Sequence, residues 1–520
     1  MANTLENIVV VGGGTAGWIT ALMVKKRIPW ASVTLVESEE LGILGAGEGS
    51  TPTFLNFLDY VGIYTEDLIT EVGATFKNSL KFVNWNGQND VYYHEFSPIG
   101  SLNSDKLFYN GDNFGKHTTF YWMNVLNNTP AIEFDFVSMV SENNKAPYQK
   151  THPVSTQTSL VDYKNTNSFG LHFDANKLAN FLKTKAISRG INWVEGKVES
   201  VNVKDNGDIS ALVLENGSLI DLDLVFDCSG THRLLIGNHY KTEWVDRNDI
   251  LPCDSALPFF LPIDQEIPAY TSCIAMKHGW VWKIPLQDRY GCGYVFDSKF
   301  ISEDEAAKEI EDYLGFEPTY PRKSKGAFKF NPGYYKNTWV NNCIAIGLSS
   351  GFMEPLEATN IGVALINLTD ALADVGALAR RNPQELKNYN NQVFKLNSEI
   401  AEFLYMHYMT QRGDTDFWKQ FKDVKKTPTR LGNIMKSLET SIPSVVTLAG
   451  WDAFTYSSFY QIALGIGHIN KELIKESVLN TKFPKAVEDD FGSLREYFRI
   501  EAEKCIDHRM LLTELGGFKK

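Results

Sequence analysis

A chain of 520 residues, 43% of them hydrophobic and 12% aromatic, can bury a large core, and its length favours two or three packed substructures over one small domain. Its net charge of −13, from 63 acidic against 50 basic residues, repels polyanions and argues against nucleic acid as a partner. No apolar run approaches the ~18 to 20 residues that a membrane helix needs, and no basic stretch precedes an apolar one at the N-terminus, so we expect a cytoplasmic protein without membrane contact.

The cysteines indicate a reducing environment. They form no C-x-x-C pair and no metal-type spacing with histidine, and they are sparse for a secreted scaffold. We therefore expect reduced core thiols and no metal site at the six positions, Cys228, Cys253, Cys273, Cys292, Cys343 and Cys505.

The first fifty residues carry a dinucleotide-binding pattern. The β-branched run Ile8–Val11 predicts a buried strand, and the following VGGGTAGW fits G-x-G-x-x-G with Gly12, Gly14 and Gly17. WITALMVKKR then predicts a helix, and SVTLVES a second strand that ends at Glu37, about 20 residues beyond the last glycine, where this fold places an acid against a ribose hydroxyl. The glycines let backbone N–H groups approach a pyrophosphate. The pattern predicts dinucleotide binding but does not distinguish FAD from NAD.

Two later segments have the same strand, turn and helix character. LVFDCSG from Leu224 fits a strand returning beneath a cofactor, although the stretch alone fits any strand that ends in a turn equally well. In CIAIGLSSGFMEPLEATN, from Cys343, a Gly- and Ser-rich loop separates a strand from a helix, whose first N–H groups suit a flavin edge or a small anion. Helical periodicity dominates afterwards, so we predict two parts, residues 1–360 and 361–520.

Taken together, eight blocks of the sequence resemble the flavin-dependent halogenases, the tryptophan-halogenase-like branch of the FAD monooxygenase fold. In order these are GGGTAGW, LGAGEGSTP, ATFKNSLKFVNW, LHFDA, FDCSG, LPCD, GWVWKIPL and GFMEPLEATN. The resemblance covers nearly the whole chain and thins after about Trp451. It implies an α/β (α+β) FAD-dependent monooxygenase-like fold. This fold has a Rossmann-type dinucleotide-binding region, an additional substrate-side sheet and a helical C-terminal part that completes the substrate pocket.

W-x-W-x-I-P is the distinguishing signature of the family, and here it comprises Trp280, Trp282, Ile284 and Pro285. On a strand, residues i and i+2 face the same side, so the two indoles would form one aromatic wall. An arbitrary W-x-W more often fills a core. The resemblance instead implies a flavin-side barrier that admits halide and keeps organic substrate away.

The resemblance also implies a reaction sequence. Reduced FAD and O2 give a C4a-hydroperoxide, halide attacks its distal oxygen, and hypohalous acid travels to a separate pocket. The catalytic lysine and glutamate of the family match Lys77 and Glu357. Lys77 would hold hypohalous acid by a hydrogen bond or as a haloamine, and Glu357 would orient it or accept the ring proton. Lys81, four residues on, is the competing lysine.

For the cofactor and the halide, the resemblance and the glycine pattern give specific positions. The expected FAD-binding residues are Gly12, Gly14, Thr15, Ala16, Gly17, Glu37, Ala46, Gly47, Gly347 and Ser350. Halide is expected near Thr359 and Asn360, where ATN replaces the more usual STG. Because Ala358 lacks a hydroxyl and Asn360 adds a side chain, we expect bromide or iodide rather than chloride.

The expected substrate is an electron-rich aromatic molecule, indole- or phenol-like, stacked by His94, Trp451 and Phe454, with His117 and Tyr121 as further candidates. Because only one dinucleotide fingerprint is present, a separate NAD(P)H flavin reductase would supply FADH2. Two alternatives are a flavin-dependent aromatic hydroxylase and a catalytically silent flavin-binding relative. A homo-oligomer is compatible with the sequence.

Overall fold

The computed structural model describes residues 5–38, 47–96, 124–125, 130, 133, 135–150, 159–321, 326–441, 447–479 and 485–518, without the side chains of 477–479, 485–491 and 494. The described chain forms two compact units, each built from three segments. Unit 1 comprises Met1–Val72, Phe173–Asn248 and Phe330–Ser398; unit 2 comprises Gly73–His172, Asp249–Lys329 and Glu399–Lys520. The sequence-based boundary near residue 360 falls within unit 1, and that division into residues 1–360 and 361–520 stays a prediction.

The main sheet of unit 1 has six strands, five of them parallel. In spatial order they are Asn192–Glu195, Ser32–Glu37, Asn7–Val11, Leu224–Asp227, Cys343–Ala345 and the antiparallel edge strand Trp339–Val340. Helices cover both faces of such a sheet, which is why its central strands are continuous apolar runs. Val9 and Val225 lie side by side here, and both are buried. The FDCSG segment therefore does return beside the first strand.

The remaining elements of unit 1 connect and cover this sheet. Its helices are Thr15–Arg27, Thr53–Val61, Thr65–Asp67, Ala175–Ser188, Thr359–Ala371, Val375–Arg380 and the start of Pro383–Tyr408. Its π and 3₁₀ turns are Leu68–Val72, Gly230–His232, Leu234–His239, Gly347–Ser349 and Leu356–Ala358. Its shorter strands are Glu48–Gly49, Val198–Val203, Ile209–Leu214, Leu219–Asp221, Trp244–Asp246, Gly333–Tyr335 and Gly351–Phe352.

Aspartates fix several of the turns in unit 1. Asp174 accepts a hydrogen bond from the Lys177 N–H at 2.9 Å and so caps the helix Ala175–Ser188. The buried Asp227 accepts from the N–H groups of Leu235 and Ile236 at 2.8 and 2.9 Å. Asp227 therefore acts as a structural cap in the turn that follows its strand.

The main sheet of unit 2 has seven strands. In spatial order they are Phe328–Lys329, Ser255–Pro262, Arg289–Phe296, Gly279–Pro285, Tyr270–Ala275, Ser79–Val83 and Val91–Glu95. All neighbours are antiparallel except Tyr270–Ala275 and Ser79–Val83, which run parallel. The helix Glu303–Leu314 packs on one face of this sheet, where its Ala306 and Ile310 join an apolar cluster.

Further elements complete unit 2. A small sheet contains Cys505–Asp507, Lys145–Lys150 and Tyr163–Asn165, and the strand Thr75–Lys77 pairs antiparallel with residues 170–172. The helices and turns are Phe136–Glu142, Leu160–Asp162, Asp416–Lys419, Gln420–Lys422, Val424–Lys426, Thr429–Leu438, Tyr456–Gly465, Lys471–Leu479, Lys485–Lys504, His508–Glu514 and the end of Pro383–Tyr408. The last third of the chain is thus mainly helical.

Two further observations concern the cysteines and the lengths of the helices. All six cysteines are free and buried. In the part of the chain that the structure describes, none of the helices combines the length and the apolar character that crossing a membrane requires.

Candidate active site

The glycine loop of unit 1 leaves space where side chains would clash. Gly12 has φ +114°, and a Cβ there would lie 2.2 Å from the Cys228 carbonyl oxygen. A Cβ at Gly17 would lie 1.8 Å from the carbonyl oxygen of Gly12, which brings the helix close to the loop. Nothing lies within 4 Å of a Cβ at Gly14, which begins the helix without a side-chain cap. The first N–H groups of the helix, including those of Thr15 and Ala16, are therefore open to a ligand.

Glu37 lies beside this loop, at the end of the second strand. A Cβ on Gly13 would lie 1.5 Å from Glu37 Oε2, so the carboxylate reaches the loop. Its Oε1 accepts hydrogen bonds from Lys183 Nζ and Trp193 Nε1, both at 2.7 Å. The carboxylate is thus held in place where a ribose hydroxyl is expected.

The second turn predicted to face the cofactor also packs on the first helix. Gly347 has φ +70°, and a Cβ there would lie 2.7 Å from Ala16 Cβ. The hydroxyl of Ser350 donates to the Gly347 carbonyl at 2.8 Å and fixes this turn. Gly47 also has a positive φ, of 79°, whereas Ala46 lies outside the described residues. The glycine cradle, the open helix start and Glu37 together fit FAD.

Glu357 occupies an unusual backbone conformation in unit 1. Its φ is +70° and that of Ala358 is +53°, a left-handed pair of non-glycine residues directly before the helix Thr359–Ala371. Such conformations cost on the order of 1–3 kcal/mol each and concentrate at functional sites. Glu357 is buried, and Ala358 caps the helix without a side-chain hydrogen bond. The N–H groups at Thr359 and Asn360 therefore receive no side-chain cap from Ala358.

Lys77 lies on a fully buried strand of unit 2. Its side chain has no exposed surface, and its ammonium lies 5.1 Å from the centroid of the Phe96 ring. Gly170 is its partner across the strand pair, so no side chain faces it from that position. Lysine is almost never fully buried without a specific reason. Burial of this kind marks Lys77 as a functional candidate.

Lys81 lies in a different environment. Its ammonium donates to Glu142 Oε2 at 2.8 Å and lies 5.1 Å from the ring centroid of Tyr270. The side chain of Glu142 is 44% exposed. Lys81 therefore forms a structural ion pair at the edge of the unit.

Trp280 and Trp282 project from the same face of their strand. Their ring centroids are 6.3 Å apart, at an interplanar angle of 60°. Trp280 is fully buried and packs near Trp85, with centroids 6.4 Å apart. Trp282 lies across its strand neighbour Gly293, where a Cβ would meet the indole at 2.1 Å. The two indoles form a continuous wall, with Ile284 and Pro285 buried beyond them.

The three predicted substrate-pocket residues lie in one aromatic group. Phe454 stacks on Phe403, with ring centroids 3.7 Å apart, and His94 lies 5.8 Å from Phe403. Trp451 meets Phe459 edge-on at 5.0 Å, and Phe459 in turn lies 5.1 Å from Phe403. We call these five residues the aromatic group. The other two substrate candidates, His117 and Tyr121, lie outside the described residues.

Several residues of interest were not identified from the sequence. Glu48 lies in the LGAGEGSTP block, which predicts no role for it. Burial and then the charge of Asp174 raise the pKa of Glu48 to about 7. Phe403 gave no signal beyond helical periodicity, although it lies at the centre of the aromatic group. His172 lies in LHFDA, and it contacts a residue of the Lys77 strand. The resemblance to the family includes the segments that contain Glu48 and His172, but it predicts no role for either residue.

Comparison with known proteins assigns the family. A family model for tryptophan halogenase matches residues 7–478. Tryptophan 6-halogenase SttH of Streptomyces toxytricini is 30% identical over 518 residues, covering 95% of each chain. Tryptophan 7-halogenase RebH of Lentzea aerocolonigenes is 31% identical over 453 residues, covering 82% of this chain and 80% of RebH.

Solved structures agree with the sequence comparison. The crystal structure of SttH has a TM-score of 0.85 and 28% identity, and the match covers 98% of this chain and 100% of SttH. The tryptophan halogenase of Shewanella frigidimarina has a TM-score of 0.86 and 25% identity, covering 99% of this chain and 98% of that structure. The FAD-dependent monooxygenase-like α/β fold with its helical C-terminal part is thereby confirmed.

The comparisons also confirm the resemblance drawn from the motifs and the expected enzyme class, an oxidoreductase. Flavin-dependent halogenases use FADH2, O2 and a halide ion, and they generally need a separate flavin reductase and an aromatic substrate. The chain belongs to the tryptophan halogenase family of flavin-dependent halogenases.

Proposed function

We propose that the protein attaches bromine or iodine to a ring carbon of a small indole- or phenol-like molecule. The observation that carries this proposal is the complete burial of Lys77 on a strand of unit 2. An amine without exposed surface is shielded from water, which otherwise competes for an electrophile. The named activities of SttH and RebH make tryptophan the first compound to test.

Lys77 is proposed to hold hypohalous acid, either by a hydrogen bond from the ammonium or as a haloamine. In the first case the ring carbon bonds the halogen, the O–X bond breaks, and the oxygen leaves as water with a proton donated by Lys77. The ring then loses its own proton and regains aromaticity. Hypohalous acid is the substrate of this step. O2 would be the oxidant that forms it from halide, and bound FADH2 would supply the electrons that reduce the second oxygen atom to water.

Glu357 is proposed to accept the proton that the ring loses. The residue is buried and its backbone is held at φ +70°, so the direction in which its side chain leaves the backbone is set before substrate arrives. A positioned base of this kind contributes about 10²–10⁴-fold to the rate of a proton transfer.

Halide is proposed to bind at the start of the helix Thr359–Ala371, near Thr359 and Asn360. The support is the missing side-chain cap at Ala358, which leaves backbone N–H groups for an anion. Without a serine hydroxyl at position 358, the site offers less to replace the hydration of chloride. Bromide and iodide lose less on leaving water, so we propose that they are preferred.

The wall of Trp280 and Trp282 is proposed to separate halide oxidation from the organic substrate. Its support is that both indoles project from one face and Gly293 lets Trp282 lie flat on the sheet. The substrate ring is proposed to stack against the aromatic group of His94, Trp451, Phe454, Phe403 and Phe459. Aromatic pairs contribute about 0.5–1.5 kcal/mol beyond burial. A separate NAD(P)H-dependent reductase would supply the reduced flavin.

The test supplies purified protein with FAD, a flavin reductase, NADH and O2, and offers chloride, bromide and iodide in turn with tryptophan, indole and phenol panels. Mass spectrometry should detect halogenated product, with bromide and iodide giving more than chloride. Hydroxylated product without halogenated product would replace the proposal with an aromatic hydroxylase. Equal use of chloride and bromide in competition would overturn the halide preference alone.

A further inference from the structure

The strand that carries Lys77 is anchored at each residue around the lysine. The Ala74 carbonyl accepts from Gln287 Nε2 at 2.9 Å, and the Asn78 N–H donates to the Ala269 carbonyl at 2.7 Å. Between them, the Phe76 N–H donates to His508 Nε2 at 3.0 Å. Catalytic groups lose activity steeply when displaced, by about 10²-fold for a 1 Å error in position. These closely spaced hydrogen bonds hold the backbone around Lys77 in one position.

A chain of side-chain hydrogen bonds runs across the face of the strand that presents Lys77. Thr75 and Lys77 are i and i+2 on one strand and so face the same side. Thr75 Oγ1 lies 2.7 Å from the Pro285 carbonyl and 3.2 Å from His172 Nδ1, and His172 Nε2 lies 2.8 Å from Thr271 Oγ1. The chain therefore joins the Lys77 strand to the last residue of the Trp280–Trp282 strand.

The direction of each proton in this chain follows from the donors available. Thr75 gives its only proton to the Pro285 carbonyl, so it accepts from His172 Nδ1–H. In the neutral ring, His172 Nε2 then accepts from the Thr271 hydroxyl. A neutral His172 is thus fixed in the tautomer that carries its proton on Nδ1.

Its surroundings favour the same state. Burial, followed by the charge of Lys77, holds the pKa of His172 well below its usual value. A second positive charge beside the Lys77 ammonium is thereby avoided. His508 is neutral for similar reasons, since burial lowers its pKa to about 4 while its Nε2 accepts from Phe76.

We infer that His172, through Thr75 and Thr271, is a positioning residue that fixes the Lys77 strand against the strand of Trp280 and Trp282. This inference rests on the proposed role of Lys77. The inference gives a role to the histidine of the LHFDA block, which has no other part in the proposed reaction. His172 is expected to govern transfer of the halogen to substrate and to leave formation of hypohalous acid unchanged.

The experiment compares His172→Phe, which keeps an aromatic ring, although a slightly larger one, and removes both hydrogen bonds, with His172→Gln, whose amide both donates and accepts. With bromide and an accepted indole, His172→Phe should lower kcat for product about 10- to 100-fold with KM for the indole unchanged. Hypobromite captured by a soluble scavenger should rise correspondingly, and total oxidant should stay constant. His172→Gln should recover most of the activity.

His468→Phe is the matched control, because its ring makes one hydrogen bond, with Nε2 2.8 Å from the Met435 carbonyl. It should leave the product-to-scavenger ratio at the wild-type value. If His172→Phe does not fold, Thr75→Val is compared with Thr75→Ser. Only the serine keeps the hydroxyl that bonds His172, so only Thr75→Val should lower transfer to the substrate. Unchanged kcat and an unchanged ratio in His172→Phe or Thr75→Val would overturn the inference.

Lys77→Ala in the same assay separates the two proposals. Full halogenation by Lys77→Ala would remove the role of the lysine and with it the inference. Loss of halogenation in Lys77→Ala together with full activity in His172→Phe would remove only the positioning role.

Discussion

Lys77 and Lys81 lie four residues apart on consecutive strands of unit 2, and their environments are opposite. Lys77 has no exposed surface, and the residues around it are hydrogen-bonded to Gln287, His508 and the Ala269 carbonyl. Lys81 is paired with Glu142, a carboxylate that is 44% exposed. The difference is that Lys77 lies on a buried strand with an anchored backbone, whereas Lys81 is paired with a half-exposed carboxylate.

The same contrast applies to the carboxylates. Glu357 is buried on a left-handed backbone, whereas Glu142 is held by Lys81 and Tyr93 at the surface. Pairing at a surface is tolerant of substitution, because water can replace either partner. A buried side chain on a fixed backbone is not tolerant of substitution. Four predictions test this distinction, from the largest expected effect to the smallest.

Replacing Lys77 should have the largest effect. Lys77→Met should lower halogenated product about 10³-fold, because the hypohalous acid loses its holding group, while flavin oxidation continues. Lys81→Met is the matched control and should retain activity within about twofold. Product mass spectrometry with scavenger trapping measures both. Equal loss in the two variants would break the comparison.

Removing the carboxylate charge of Glu357 should have a smaller effect on the same reaction. Glu357→Gln keeps the size and is expected to lower kcat about 100-fold by removing the proton acceptor. Glu142→Gln should leave kcat unaltered. Steady-state kinetics with one indole and bromide distinguishes them. A Glu357→Gln enzyme with wild-type kcat would show that ring deprotonation uses another base.

The third prediction concerns Glu48 in unit 1 and the free energy of unfolding. Its pKa is raised to about 7 by burial and by Asp174. An acid whose folded pKa lies above its unfolded value gives stability below the unfolded pKa and loses it as pH rises through the folded pKa. Glu48→Gln should therefore be more stable than wild type above pH ~7, by about 3 kcal/mol, and should match it below pH ~4.5. Thermal melts across this range test it, and a pH-independent difference would contradict it.

The ion pair of Lys81 should contribute the least. Burial raises the pKa of Glu142, but the hydrogen bonds from Lys81 and Tyr93 outweigh it, and the net shift is downward. A lowered carboxylate pKa gives stability above the unfolded value that is lost as pH falls through the folded one. Lys81→Met should cost about 0.2–1 kcal/mol at pH ~7 and nothing once Glu142 is protonated. A loss that persists at low pH would point to packing by the lysine stem.

Local patterns in the sequence were enough to predict the first strand of unit 1, its glycine turn, the following helix and the second strand. Gly12 and Gly17 can be placed because a tight turn and a close helix approach exclude side chains, whatever lies further along the chain. The common face of Trp280 and Trp282 follows from strand periodicity alone. Lys77 needed the resemblance, because an isolated lysine gives no local signal of burial.

Contacts between distant segments were not predictable from one sequence. Thr75 and His172 are separated by 97 residues, and His172 and Thr271 by 99. Glu48 gives no sequence signal of its raised pKa, since this depends on burial and on Asp174. The left-handed backbone at Glu357 and Ala358 is equally hidden, because neither residue type favours a positive φ. These features arise only when the sheets assemble.

The burial of every cysteine has a further consequence if the reaction proceeds through hypohalous acid as proposed. Thiolates at a surface are the groups that such an oxidant destroys first. Burial raises the pKa of Cys228 to about 12 and that of Cys505 to about 11, so these thiols stay protonated as well as covered. The catalyst is in this way made resistant to its own reagent, and its lifetime in turnover should be set by exposed methionine such as Met510 rather than by sulfhydryl loss.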